Sequence, residues 1–392
     1  MKRFAIAGMP REVLVLAVIA FFVMVGYGVV LPVLPVYARS FGVGNLEVGA
    51  VISSFAAMRL CCSPFCPKLI TTLGERSTLA IGIFIVAISS GLVALAQNYP
   101  QLLILRAVGG IGSAMFTVSA MTLLLRLVPA DRRGQATGIY QGGFLLGGMA
   151  GPAVGGVLAT ISITAPFFFY AITLIIAGTI GLMLLRAPRE AAPDRAEEHI
   201  PFVQVLRDRR YQAACLANLA QGWTSFGVRS SLVPVLIVEM LHGKASWTGI
   251  AFACAAVVQT IMLGPAGRIS DTVGRRPALI IGGLLALVTI MIVPFAPNIW
   301  VVGVALCGYG AAAAFLGTAP AAAVGDAAGG RVGRPVAIFS MCSDGGAIIG
   351  PLVAGYLADQ VSYLAAFSVG GLLLLVAVGA ATRIPRKLVA VS

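Results

Sequence analysis

Four ionisable side chains lie inside long apolar runs of this sequence: Arg59, Arg106, Arg229 and Asp344. In hydrocarbon such groups are costly unless paired or hydrated, so they mark polar pathways, proton relays or ion pairs. Asp344 sits about nine residues into its run, ~14 Å along a helix and near the middle of a ~30 Å apolar layer. It is the only carboxylate at that depth. Burial favours the neutral acid and a nearby arginine the charged form, so its surroundings can poise it to take up and release a proton. A fixed Asp344–arginine pair joining two helices is the alternative. Arg59 lies about thirteen residues into its run, ~20 Å from the outer end, and is expected to face a cavity or an acid. Arg106 is ~9 Å from its outer end, where snorkelling to the interface competes with burial, and Arg229 is placed near the outer interface. Asp326 and Asp359 fall at the ends of runs and are expected to be solvated.

The runs that position these groups dominate the chain. Of 392 residues, 59% are hydrophobic and 10% charged, and the mean hydropathy is +0.98, which places the chain in a bilayer. The net charge of +13 falls in short loops, where it sets topology and does not bind nucleic acid. Seven cysteines, at 61, 62, 66, 215, 254, 307 and 342, all lie in apolar runs, which argues for buried packing and against a disulfide framework. The first run, 13–36, has no small-residue cleavage site and is long enough to span, so it is not a signal peptide. An enzyme reading fares poorly: His199 and His242 are the only histidines, and neither a paired-histidine zinc motif nor a phosphate-cradling loop occurs. Neither a metal nor a cofactor is expected.

Twelve spans are predicted, at 12–37, 46–68, 77–97, 100–127, 134–159, 163–186, 210–238, 247–268, 277–296, 299–323, 334–358 and 362–383. Both termini then share a side. Of 27 basic residues, Arg39 and Lys244 alone lie opposite, beyond the three arginines within spans, so the termini are cytosolic. The segment 187–209, with three prolines and mixed charge, reads as a cytosolic linker between bundles 1–186 and 210–392. At its end PFVQVLRDRR reads either as a short amphipathic helix on the membrane surface or as a tether.

The two halves repeat. GRISDTVGRR, Gly267 to Arg276, aligns without a gap on PKLITTLGER, Pro67 to Arg76, at a shift of 200 residues. The loop with Gly267, Asp271, Gly274, Arg275 and Arg276 resembles the motif between the second and third helices of each half in the major facilitator superfamily of transporters. In the first half Pro67 and Thr71 replace the glycine and aspartate, so a carboxylate latch is expected only in the second, where Asp271 would meet the positive N-terminal end of helix five. Helix five, GIYQGGFLLGGMAGPAVGG, carries Gly138, Gly147, Gly151, Pro152, Gly155 and Gly156. Glycines four apart admit a close helix neighbour and Pro152 kinks the span; the full spacing resembles the fifth-helix signature of the superfamily's proton-coupled exporters. GPLVAGYLAD, from Gly350, echoes it in helix eleven at a shift of 199. LLILRAVGGIG in helix four resembles the superfamily pattern of an arginine four residues before a glycine, here Arg106 and Gly110. The first helix, GYGVVLPVLPVY, resembles that of the twelve-helix drug and metabolite exporters and carries no acid between Glu12 and Glu47, which excludes a proton site there.

The resemblance implies an all-α membrane protein of twelve transmembrane helices in two pseudo-symmetric six-helix bundles, with helices one, four, seven and ten lining a central cavity and three, six, nine and twelve facing lipid. The last four have no charge in mid-span, which agrees. Tyr27, Gln141, Asn218, Gln221, Trp223, Gln259 and Tyr309 are candidate cavity residues, with helix–helix hydrogen bonding as the alternative for each. The expected function is proton-coupled export of a small amphipathic compound by alternating access, in a multi-pass protein of the plasma or inner membrane that works as a monomer with protons, a small-molecule substrate and the lipid bilayer as partners. A metabolite uniporter or importer is the runner-up, and a non-transporting receptor or scaffold the rival of another class.

Overall fold

The computed structural model describes residues 9–128, 132–185, 202–327 and 334–385. Most of the expected linker, up to residue 201, lies outside the described residues, as does His199. The described chain is helical throughout: α1 Arg11–Val30, α2 Leu34–Arg39, α3 Asn45–Cys62, α4 Cys66–Leu73, α5 Glu75–Val93, α6 Tyr99–Leu127, α7 Arg133–Ile161, α8 Ala165–Leu184, α9 Phe202–Arg207, α10 Arg209–Gly222, α11 Leu232–Glu239, α12 Ala245–Thr272, α13 Arg275–Ile292, α14 Ile299–Ala327, α15 Arg334–Gln360 and α16 Tyr363–Thr382.

Local chemistry sets the breaks. Leu31–Val33 interrupt the first expected span beside Pro32 and Pro35, where a missing backbone donor and ring clashes end α1. Asn98, Asp208 and Ser362 cap α6, α10 and α16 with side-chain oxygens that accept from Gln101, Arg210 and Ala365 backbone N–H groups. Gly74 and Gly274, with φ of 79° and 121°, form the sharp turns into α5 and α13. Both positions demand glycine, and they are equivalent across the shift of 200.

Eleven helices among the described residues are long and apolar enough to cross a membrane, with α3 and α4 forming one span, Asn45–Leu73. The span expected at 210–238 appears as three consecutive pieces: α10, a π-helical segment Trp223–Ser230, and α11. The break lies where Gly227 meets Gly350 of α15 backbone to backbone. α9, expected on the membrane surface or as a tether, instead buries Val205 against Tyr211, Ala214, Ala323 and Val324.

By contact the chain divides into two compact units, Met1–Leu34 with Ser54–Ala196, and Pro35–Ser53 with Glu197–Ser392. Residues 35–53, which the sequence reading places in the first bundle, group with the second unit because Arg39, Asn45 and Leu46 bond to Glu239 and Asp359. Each unit repeats one packing scheme. In unit 1, α1 packs on α7 and α8, and α5 on α6 and α8; in unit 2, α10 packs on α15 and α16, and α13 on α14 and α16. Small residues make these approaches possible: the missing side chains of Gly28 and Gly151 bring α1 onto α7, and Gly227 and Gly350 do the same one repeat later. Exposed rows of Ile81, Ile88 and Leu92 on α5, Ile172, Ile175 and Ile176 on α8, Ile281, Leu284 and Val288 on α13, and Leu372, Leu375 and Val376 on α16 suit a lipid-facing surface.

The cysteines correct one expectation. All seven are free, but only Cys66 is buried, and Cys61 and Cys254 are exposed. On an apolar surface that meets lipid, a thiol behaves as a small hydrophobe and needs no burial.

Candidate functional site

Each unit holds an arginine against aromatic rings. In unit 1, Arg106 on α6 is only 5% exposed, with its guanidinium carbon 4.5 Å from the ring centroid of Phe55 on α3. The Phe55 ring is 6.0 Å from that of Tyr27 on α1, which lies 6.4 Å from that of Tyr170 on α8. Gly110, one turn after Arg106, brings α6 against the Phe55 carbonyl. The buried guanidinium therefore stays within the unit and does not snorkel, and its Nε has no hydrogen-bond partner.

In unit 2, Arg229 stands on the π-helical segment, 5.1 Å from the ring centroid of Phe252 on α12 and 5.6 Å from that of Tyr309 on α14. Both rings are buried. The Tyr309 hydroxyl hydrogen-bonds with those of Thr224, at 2.7 Å, and Ser225, at 3.1 Å. Arg229 is thus packed against two rings, and its Nε is also unpartnered. Gln221 Oε1 and Trp223 Nε1, on or beside the same segment, are buried without partners. Asn218 spends its amide on the Phe339 carbonyl, 2.7 Å away, the helix–helix bond that was its alternative. Gln141 is exposed and Gln259 partly so; neither joins an arginine cluster.

Asp344, on α15, is partly exposed. Its neighbours Ser343 and Gly346 meet the backbone of Gly222 and Leu219, which puts it level with the start of the π-helical segment. Arg229 lies seven residues beyond Gly222 along its own span. Arg59, near the end of α3, is partly buried.

The signature glycines of α7 divide by role. Gly147 and Gly155 approach the carbonyls of Phe21 and Val29, Gly151 approaches Gly28, and Pro152 touches Gly28 through Cδ, whereas Gly138 faces open space. Gly156 is buried.

At the two ends, charges organise the loops. Arg275 pairs with Asp271 and, at 2.9 Å, with Asp326, and it lines a cleft of about 770 Å³ with Gly274, Arg276 and Arg210. Unit 1 has the equivalent pair with its polarity reversed, because Glu75 binds Arg126 at positions each displaced by 200 from Arg275 and Asp326. At the opposite end Arg39 makes a two-pronged bond to Glu239, with 2.6 and 2.8 Å distances, and this carboxylate raises the arginine's affinity for its proton. Asp359 accepts from the Asn45 and Leu46 backbone N–H groups and from Asn45 Nδ2. Asp326 and Asp359 are exposed, as expected, and also hold specific partners.

Sequence reasoning missed Phe55, Tyr170, Phe252, Thr224 and Ser225, which read as ordinary apolar or small helix residues. The Glu75–Arg126 pair had a legible signal: the shift of 200 that aligns the loops also aligns it on Arg275–Asp326.

The profile of the Major Facilitator Superfamily matches residues 16–243 and 214–389. The synaptic vesicular amine transporter of Homo sapiens is 29% identical over 262 residues, covering 65% of this chain and 50% of that protein. The quinolone resistance protein NorA of Staphylococcus aureus is 28% identical over 187 residues, 47% of either chain. The matched stretch thus spans about half the length of these curated relatives. A bacterial homolog of the human lysosomal transporter Spinster, in an inward-facing and occupied conformation, superposes with a TM-score of 0.73 at 17% identity, covering 97% of this chain and 98% of that one.

Proposed function

The chain belongs to the major facilitator superfamily of transporters, and on that premise we propose that it is a proton-coupled exporter of a small amphipathic compound, working by alternating access. The observation that carries the proton-coupling part is Asp344, the one mid-span carboxylate of the sequence. It is partly exposed on α15, between glycine contacts that hold α15 against α10. The packing of Gly147, Gly151 and Gly155 against α1 supports the export part, together with relatives named for quinolone resistance and amine transport. The span broken at the π-helical segment is counted as the seventh of twelve, with cytosolic termini and the plasma or inner membrane as the site of action. The loop from Gly267 to Arg276 is assigned a gating role, and Asp271→Asn is expected to slow turnover several-fold in proteoliposomes without lowering folded yield.

The test is reconstituted transport of a compound panel with and without an imposed pH gradient. Gradient-driven efflux supports the reading. Facilitated movement indifferent to the gradient favours the uniporter, and no flux of any compound leaves the receptor reading.

A further inference from the structure

We propose that the π-helical segment Trp223–Ser230 forms a binding subsite for the carboxylate of an amphipathic organic anion, with Arg229 as the anion-binding group, held in place by the buried rings of Phe252 and Tyr309. The inference rests on the transport reading above only in taking the ligand to be the transported compound.

Three observations converge. A guanidinium packed among apolar groups is normally satisfied by several hydrogen-bond acceptors, yet the Nε of the partly exposed Arg229 is buried and unpartnered, with ring faces within cation–π distance. Cation–π contact offsets part of the charge's desolvation but leaves the N–H donors unused. The carboxylates of the unit with described partners are committed elsewhere: Glu239 to Arg39, Asp326 and Asp271 to Arg275, and Asp359 to Asn45 and Leu46. The contacts described for Arg229 are the two ring faces, with no carboxylate among them.

The backbone is the second observation. A π-helical stretch departs from regular α-helical hydrogen bonding and occurs frequently at functional sites. Here it spans eight residues, the last but one being Arg229. Thr224 and Ser225 at its start bind the Tyr309 hydroxyl, which fixes the ring beside the guanidinium. The third is access: Arg229 is partly exposed, whereas Phe252 and Tyr309 are buried, so an incoming group meets the cation first. A guanidinium's planar fork suits a carboxylate with two parallel N–H donors, and the buried rings behind it hold the fork in place. An amine of the same shape would meet like charge.

The experiment uses the full purified chain in detergent and three isosteric probes: 4-phenylbutyrate, 4-phenylbutanamide and 4-phenylbutylamine. Binding is read by quenching of tryptophan fluorescence, for which Trp223 opens the segment, and independently by equilibrium dialysis. The carboxylate should bind at least tenfold tighter than the amide or the amine. Arg229→Gln should erase that preference while amide binding stays within about twofold, and Arg229→Lys should retain part of it. An unchanged preference in Arg229→Gln overturns the proposal, as does equal binding of the three probes to the wild-type protein. Flux of the same probes in proteoliposomes is scored separately. Arg229-dependent binding without flux defeats the transport reading and leaves the subsite, whereas flux without charge preference defeats the subsite alone.

Discussion

A guanidinium inside an apolar run must find electron density somewhere, and Arg106 and Arg229 find it on the faces of Phe55, Phe252 and Tyr309. Such contacts stabilise by ~0.5 to 2 kcal/mol, more when desolvated, less than the cost of burying a charge. Arg59 is the third of the set, and Arg59→Ala is expected to lower transport at least fivefold while the yield of folded protein stays within a third of wild type, read by flux and by size-exclusion profile. Loss of the folded peak instead would make Arg59 a structural group. The depths of these arginines could be counted from the ends of the apolar runs. Their partners could not, since a phenylalanine in a hydrophobic span carries no mark of the cation it will meet.

Helix pairs show where periodicity and repeats speak clearly. Along α7, Gly151 lies against the Gly28 backbone and Gly138 lies against nothing. Gly151→Val should therefore destabilise by ~1 to 3 kcal/mol, because backbone cannot retreat from an added side chain, whereas Gly138→Ala should be silent; a thermal melt of both in the same detergent checks the contrast. The reversed pairs Glu75–Arg126 and Arg275–Asp326 make a second test. Glu75→Arg alone should lower the melting temperature by placing two cations together, and adding Arg126→Glu should restore it by recreating the polarity of the other half. The eleven long apolar helices among the described residues were legible from hydropathy, and the glycine turns at 74 and 274 from the aligned loops. The bonds from Asp359 to Asn45 and Leu46 were not, because they join residues more than 300 positions apart and nothing in either neighbourhood encodes the other.

At the scale of the whole molecule, the repeat governs both units, while charge distinguishes them. In the proposed twelve-span topology basic residues crowd the loops on the side of the termini, with Arg39 and Lys244 the exceptions, so a cysteine introduced at Ser392 into a chain whose own cysteines are removed should react with an impermeant maleimide only from the cytosolic face. Labelling from the outside would invert the topology and with it the direction of transport. The central claim, that Asp344 couples proton movement to export, is tested most directly by comparing wild-type and Asp344→Asn proteins in liposomes loaded with a compound the wild type transports. The account predicts that the variant loses uphill transport driven by a pH gradient while keeping downhill exchange within about threefold of wild type. Normal gradient-driven accumulation by Asp344→Asn would contradict it.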